Sequence, residues 1–214
     1  MDNADDGESG GNLCPSATGK TMATRSTTTL PEHYERHFGR IARGWSDDKR
    51  THGIQVACFE AQPEPGVRTF ATLGLSSSKV ALSEKTRTRQ ELLLSANDNF
   101  AVDAVAALVL SLAEHVLERG QAFLRGEVVG PGAPVIAGST LTAIYVANPS
   151  PFDKSLTQFA SDSPPTVFAY LIPITNTEAE LVRTCGWSWF EDQLERQDPD
   201  IWDLARIEKV ERST

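Results

Sequence analysis

Apolar positions follow a helical spacing early in the chain and short extended runs after it. A first helix is predicted over residues 32–43, because a proline precedes it and apolar side chains recur every three or four residues. Residues 54–59 and 67–75 predict the two strands of a hairpin, since the Pro- and Gly-rich residues 62–66 lie between them. Helix and sheet are therefore both expected in the first half of the chain.

The strongest helical pattern covers residues 100–119, where most side chains are Ala, Val or Leu. Asp98 or Asn99 is expected to cap its start, and a glycine follows its end. A helix that is apolar around most of its circumference must be covered on most sides, so we place it against a sheet. An aspartate in place of Ala106 or Ala107 should then destabilise the fold.

Further strands are predicted over residues 88–95, 141–147 and 167–174, which are rich in apolar and β-branched side chains. The Gly- and Pro-rich residues 126–134 form a connection with one short extended piece. Because strands cluster in neighbouring runs between helices, the expected fold is an α/β (α+β) sandwich. Its sheet should be mixed and largely antiparallel, packed by the central apolar helix and by C-terminal helices.

Two consecutive helices are predicted near the C-terminus. The spacing of Thr177 and Glu180 fits a capping box, so one helix should begin there and run to Cys185, before a glycine. A second helix is predicted over residues 187–197. Residues 200–207 fit either a short helix or a strand.

Residues 1–30 differ from the rest, with four glycines and nine serines or threonines. Such a segment cannot bury enough apolar surface to offset its ordering entropy, so we expect a disordered tail and a single domain over residues 31–214. The sequence Thr18-Gly19-Lys20-Thr21 suggests a phosphate loop. However, Cys14 stands where that loop needs its first glycine, and no apolar strand precedes it.

The chain carries a formal net charge of −9, which argues against nucleic-acid binding through bulk electrostatics. Its longest apolar run, residues 104–110, is far shorter than the roughly 20 residues that span a bilayer. The acidic N-terminus does not resemble a secretory signal, so a cytoplasmic location is expected. The three cysteines, Cys14, Cys58 and Cys185, form no CxxC pair, which argues against disulfides and structural zinc.

One alternative is a small hydrolase or metal-dependent enzyme that uses histidine and cysteine side chains. His33 and His37 share a helix face, but the acid between them, Glu35, is not adjacent to His33 as a HExxH motif requires. Cys185 would need a histidine base close in space, and His115 is the one histidine of the central region. The geometry of these groups is left open by the sequence.

Asp198, Asp200 and Asp203 resemble part of a cation site. Calcium loops need more oxygen ligands and a glycine at the turn, so helix capping explains these acids better. We therefore predict no metal, no cofactor and no catalytic residue.

A partner-binding surface is predicted around the last helix, where tryptophans and acidic residues alternate. Tryptophan is enriched at interface hot spots, although it is also a common core residue. The acids suit either a solvated helix face or an anionic surface for a basic protein. The candidate residues are Trp187, Trp189, Glu191, Asp192, Glu195 and Trp202.

Four segments, in this order, resemble the suppressor-of-fused domain family. Residues 56–76 are similar to the family's strand, Pro-rich turn and second strand, which ends in a Gly-Met-Ser-like element; here Leu75 stands where Met is usual. Residues 91–94 resemble its apolar strand before a central helix, and residues 126–141 its Gly-rich continuation. Residues 170–181 resemble its most telling motif, PIT-x-x-E, and a glycine and Arg206 follow where the family has them.

The resemblance implies a non-enzymatic domain that binds proteins, because the family has no known catalytic residues. Animal members are longer and grip a transcription-factor peptide with a second domain, for which this chain is too short. Stand-alone members of this size resemble bacterial proteins, some of them immunity proteins that neutralise toxins. The expected partner is therefore a basic toxin or a regulator, and the oligomeric state is left open.

Overall fold

The computed structural model describes residues 28–46, 52–160, 163–207 and 210–211. Its helices are α1 (Leu30–Phe38), α2 (Val102–Arg119), α3 (Asn176–Cys185) and α4 (Trp187–Gln197). Its strands are β1 (Arg43–Ser46), β2 (Gln55–Glu60), β3 (Val67–Leu73), β4 (Val80–Ala81), β5 (Arg87–Asn97), β6 (Val128–Val129), β7 (Ala143–Ala147), β8 (Gln158–Phe159) and β9 (Thr166–Ile174).

These nine strands form one sheet with the order β1-β2-β3-β5-β9-β7-β6, to which β4 adds beside β5 and β8 beside β9. Among the described strand pairs, only β5 and β9 are parallel. Both central strands are buried on both faces, as their nearly continuous apolar runs predict. The predicted mixed, largely antiparallel sheet is confirmed.

Helices cover both faces of this sheet. On the first face, α2 packs through Val105 and Val109 onto Leu92 and Leu94. On the second face, α1, α3 and α4 pack onto side chains such as Leu93. The predicted sandwich, a sheet packed by a central apolar helix and by C-terminal helices, is therefore confirmed. No helix in the described ranges is both long and apolar enough to cross a membrane.

One side of α2 faces solvent, contrary to the expectation that the helix is covered on most sides. Ala106 is fully buried, whereas Ala107 is exposed. The N-cap is Ala101, without a side-chain hydrogen bond, so the expected cap by Asp98 or Asn99 is wrong. The backbone N–H of Asp98 instead donates to the turn between β2 and β3.

The first helix is shorter than predicted and begins earlier. Thr29 and Glu32 form a capping box, so residues assigned to the tail begin the described fold. The helix ends at Gly39, whose φ of +80° is unfavourable for other residues. Residues 43–46 then form β1 at the sheet edge, a strand that the helical spacing concealed. Cys14 and the Thr18–Thr21 motif lie outside the described residues.

The start of α3 also differs from the prediction. Thr175 and Glu178 form the capping box, two residues before the predicted pair Thr177 and Glu180. Two overlapping Thr-x-x-Glu patterns compete here, and burial selects the first because Glu178 is fully buried. Residues 200–207 contain turns rather than the expected helix or strand.

Candidate protein-interaction site

A groove with a volume of about 870 Å³ opens on the second face of the sheet. Side chains of α4 form one wall, and those of β7, β9 and the loop after β7 form another. The turn that follows α4 closes one end. The lining residues are Glu64, Asn97, Arg125, Tyr145, Ala147, Asn148, Ser150, Ile172, Glu191, Leu194, Glu195, Asp198, Pro199, Asp200, Ile201 and Trp202.

The groove is strongly acidic, with five carboxylates and one arginine among its lining residues. In the described part of the chain, no cation lies within ion-pair distance of Glu64, Glu195 or Asp198. Carboxylates that share a concave surface reinforce one another's potential, because the low-dielectric walls focus the field. The groove is therefore suited to a cationic ligand.

Glu191 is the exception, because its charge is already balanced. The Arg125 guanidinium donates to both of its carboxylate oxygens, with Nε 3.1 Å from Oε1, and the Tyr145 hydroxyl donates to Oε1 at 2.8 Å. The hydrogen bond to Glu191 raises the pKa of Arg125. Burial, followed by this carboxylate, raises the pKa of Tyr145. Glu191 thus fixes a polar cluster at one end of the groove.

Trp187 lies beside this cluster and is held in place. The Arg125 guanidinium carbon is 4.4 Å from the centroid of its ring, a cation–π contact. Beneath the ring lies Gly126, where a Cβ would come within 2.6 Å of the indole. The side chain nevertheless remains 43% exposed. It is a rigid aromatic surface at the rim of the groove.

Trp202 closes the other end and is half-buried. Its indole N–H donates to the Tyr170 hydroxyl at 3.0 Å, and its backbone N–H donates to Asp200 at 3.0 Å. The Asn97 amide donates to the same carboxylate. Asp203 likewise accepts the backbone N–H of Ala205. Asp200 and Asp203 thus cap turns rather than a helix, so the prediction that they cap a helix is wrong.

The structure brings together four of the six predicted partner-binding residues. Glu191, Glu195 and Trp202 line the groove, and Trp187 stands at its rim. Trp189 is half-buried against the core of the second face, and Asp192 is exposed but does not line the groove.

Most of the lining residues were not predicted from the sequence, and four polar examples show why. They come from segments far from α4 in the chain, and only the strand order places them beside it. They are Glu64, Asn97, Arg125 and Tyr145. Arg125 is followed by a glycine, but this local pattern does not predict that Trp187 packs against both residues.

The residues of the enzyme alternative do not converge. The rings of His33 and His37 lie 4.7 Å apart on α1, where burial lowers the pKa of both. His115 is exposed on α2, across the sheet from them. Cys185 ends α3, while Cys58 is buried, which raises its pKa to about 11. Among the described residues, no three His, Cys, Asp or Glu side chains are grouped to hold a metal ion.

Comparisons with known proteins agree on one family. The suppressor of fused protein family matches residues 50–207. The immunity protein YqcF of Bacillus subtilis is 21% identical over 168 residues, covering 78% of this chain and 86% of that protein.

Solved structures of the same fold are similar over most of the chain. A suppressor of fused homologue from Neisseria gonorrhoeae superposes with a TM-score of 0.66 at 19% identity, covering 85% of this chain and 94% of that one. A chain of the Sufu–Fu complex gives 0.64 at 12% identity, covering 86% and 89%. Drosophila Suppressor of Fused gives 0.58 at 12% identity; the match covers 73% of this chain but 42% of that longer protein. The chain belongs to the suppressor of fused family.

Proposed function

We propose that this chain is a non-catalytic protein-binding domain whose acidic groove receives a basic segment of its partner, and that this partner is a cationic toxin. The observation that carries the proposal is the set of unbalanced carboxylates Glu64, Glu195 and Asp198 in one large groove. Family membership supports the general role, because a related chain occurs in the Sufu–Fu complex. The similarity to a protein named as an immunity protein supports the specific one.

Electrostatics favours a basic partner over a neutral one. Each uncompensated carboxylate in the groove repels its neighbours, and a lysine or arginine placed between them removes that repulsion. Complementary charge also accelerates encounter, by about tenfold to a thousandfold at low ionic strength. Fast association is what a cell needs from a protein that neutralises a toxin.

The enzyme alternative has no comparable support. Its histidines lie on opposite faces of the sheet, and Cys58 is buried in the core of the first face. A nucleophile needs a base within hydrogen-bond reach, roughly 3 Å. The groove offers carboxylates and aromatic rings instead.

The experiment measures binding of the basic proteins encoded beside the gene, by biolayer interferometry at low and high salt. Wild-type protein should bind one of them, with an association rate that falls as salt rises. The double variant Glu195→Lys/Asp198→Lys should associate at least about tenfold more slowly. Glu118→Lys, an exposed change on α2, serves as the control and should leave the rate unchanged.

Two results would contradict the proposal. One is binding whose rate does not respond to the lysine substitutions in the groove. The other is the absence of any complex with these basic proteins, while growth inhibition by them is not relieved when the wild-type chain is co-produced.

A further inference from the structure

We infer that the partner segment continues out of the acidic groove across an apolar ridge formed by Trp187, Leu124 and Leu82. The occupant is a polypeptide segment in which a bulky apolar side chain lies next to lysine or arginine. This inference rests on the proposed function and specifies its partner. It adds a contact of different chemistry, outside the carboxylate cluster.

The ridge contains most of the exposed apolar bulk of the described chain. The large apolar side chains that are more than a third exposed are Leu82 at 42%, Leu124 at 47%, Trp187 at 43% and Ile207 at 83%. Three of these four belong to the ridge. Scattered apolar residues are normal on a surface, whereas clustered ones mark interaction sites.

The ridge is continuous with the acidic groove. Leu124 lines a second groove of about 380 Å³ together with Leu82, whereas the next residue, Arg125, lines the acidic groove. Residues 124 and 125 therefore separate the two grooves. Trp187 packs on this divider, beneath Arg125 and against Gly126. A chain that leaves the acidic groove at this end meets these side chains first.

Charge changes sign across the ridge. Lys85 and Arg87 line the second groove, where one acid, Glu84, accompanies them, and Arg119 there is paired with Glu127. A segment with cations along its whole length would be repelled on that side. The observed charges favour cations at one end only, followed by apolar residues.

Trp187 is also organised before binding. Its ring is fixed between Gly126 and the Arg125 guanidinium, which Glu191 holds in turn. Immobilising a free side chain at an interface has an entropic cost that lowers the affinity. A tryptophan that is already immobile avoids this cost, and exposed rigid tryptophans are typical hot spots. Arg125 is thus a positioning residue for Trp187 rather than a direct contact for a basic partner.

The test selects displayed random 12-residue peptides on the full chain and then measures the recovered peptides individually. Selected sequences should share lysine or arginine next to an aromatic or large aliphatic residue. Trp187→Ala and Leu124→Ser should each weaken such a peptide at least about tenfold, mainly through faster dissociation. Trp187→Phe should retain most of the affinity. Ile207→Ser, an exposed apolar residue outside the ridge, is the matched control and should have no effect.

The outcomes separate the inference from the proposed function. Peptides that carry cations without an adjacent apolar position, or that bind equally to Leu124→Ser, would overturn the ridge and leave the acidic groove standing. Peptides without cations would overturn both. Self-association of the wild-type chain that disappears in Trp187→Ala would also overturn the inference, because the occupant would then be a second copy. Unchanged thermal melting of each variant ensures that lost binding is not lost folding.

Discussion

Behind α2 the core is mostly aliphatic, whereas behind α1, α3 and α4 aromatic rings dominate. On the first face, Val, Leu and Ala side chains interlock, and Phe70 and Phe123 are its buried aromatics. Among the described residues, the second face buries eight Phe and Tyr rings: Tyr34, Phe38, Phe59, Tyr145, Phe159, Phe168, Tyr170 and Phe190. Two of these tyrosines reach the candidate site through their hydroxyls.

The second face also buries an ion pair. Arg206 donates to both carboxylate oxygens of Glu178 at 2.9 Å, and both side chains are at most 2% exposed. The same carboxylate accepts the backbone N–H groups of Thr175 and Val210. This cluster fastens the chain that follows α4 to the start of α3. The first face buries neutral polar contacts, such as the two hydrogen bonds between the Gln90 amide and the Phe123 backbone, whereas the second face uses an ion pair to position the segment that closes the groove.

Ala106→Asp is the sharpest test of the first face and should have the largest effect. Ala106 is fully buried between α2 and the sheet, and the aliphatic surroundings offer no partner for a carboxylate. A buried charge without a partner costs several kcal/mol, so we expect a loss of about 4 kcal/mol or failure to fold. Urea denaturation followed by circular dichroism measures the loss.

Ala107→Asp provides the matched control. This neighbour is exposed, so the same substitution should change the free energy of unfolding by no more than about 0.5 kcal/mol. Similar losses in both variants would mean that the first face is not packed as described.

The contrast between these alanines shows what the sequence pattern could predict. The existence of α2 and its contact with a sheet follow from a long apolar run between caps. The orientation of the helix could be predicted as well, because polar residues including Asp103, Ser111 and Glu118 lie on one narrow stripe that contains Ala107 but not Ala106. The expectation that either alanine is buried did not use this stripe, so it is wrong for Ala107.

The candidate site was predictable only where it is local. Trp187, Glu191 and Glu195 are spaced four residues apart on a single helix, so the sequence alone predicts that they share a face. Arg125 and Tyr145 join them through strand order, which no local pattern encodes. Competition between equal local patterns explains other misses: the choice of Glu178 over Glu180 as the capping acid depends on Arg206, 28 residues away.

Glu178→Gln tests the polar fastening of the second face. The substitution leaves Arg206 buried without its counter-charge, so we expect a loss of about 3 kcal/mol in the free energy of unfolding. Hydrogen exchange should also accelerate at the Val210 and Trp202 amides, because the segment after α4 loses its anchor.

Glu60→Gln is the control for this variant, since it removes an ion pair with Arg68 in which the Glu60 side chain is 55% exposed. Exposed pairs contribute about 0–1 kcal/mol. Equal stability of Glu178→Gln and the wild type would show that the ion pair does not hold the groove together.

Glu91→Gln tests the other fully buried carboxylate, which lies in β5 and has no cation partner among the described residues. Its oxygens accept the N–H groups of Gly74 and Ser76 and the Thr72 hydroxyl. Burial outweighs these donors and raises its pKa from 4.5 to about 7. The folded state therefore binds this proton more tightly than the unfolded state does.

A raised pKa gives the carboxyl its full stabilising effect below pH 4.5, and that effect is lost as the pH rises through about 7. The amide of Glu91→Gln keeps the shape of the side chain but does not titrate. Relative to this variant, the free energy of unfolding of the wild type should fall by about 3 kcal/mol between pH 4.5 and 7 and then level off. Urea denaturation at a series of pH values measures the difference in the free energy of unfolding between the two proteins. The contributions of other titrating groups cancel in this difference. A constant difference between wild type and Glu91→Gln would mean that the sheet accommodates the charged carboxylate as readily as water does.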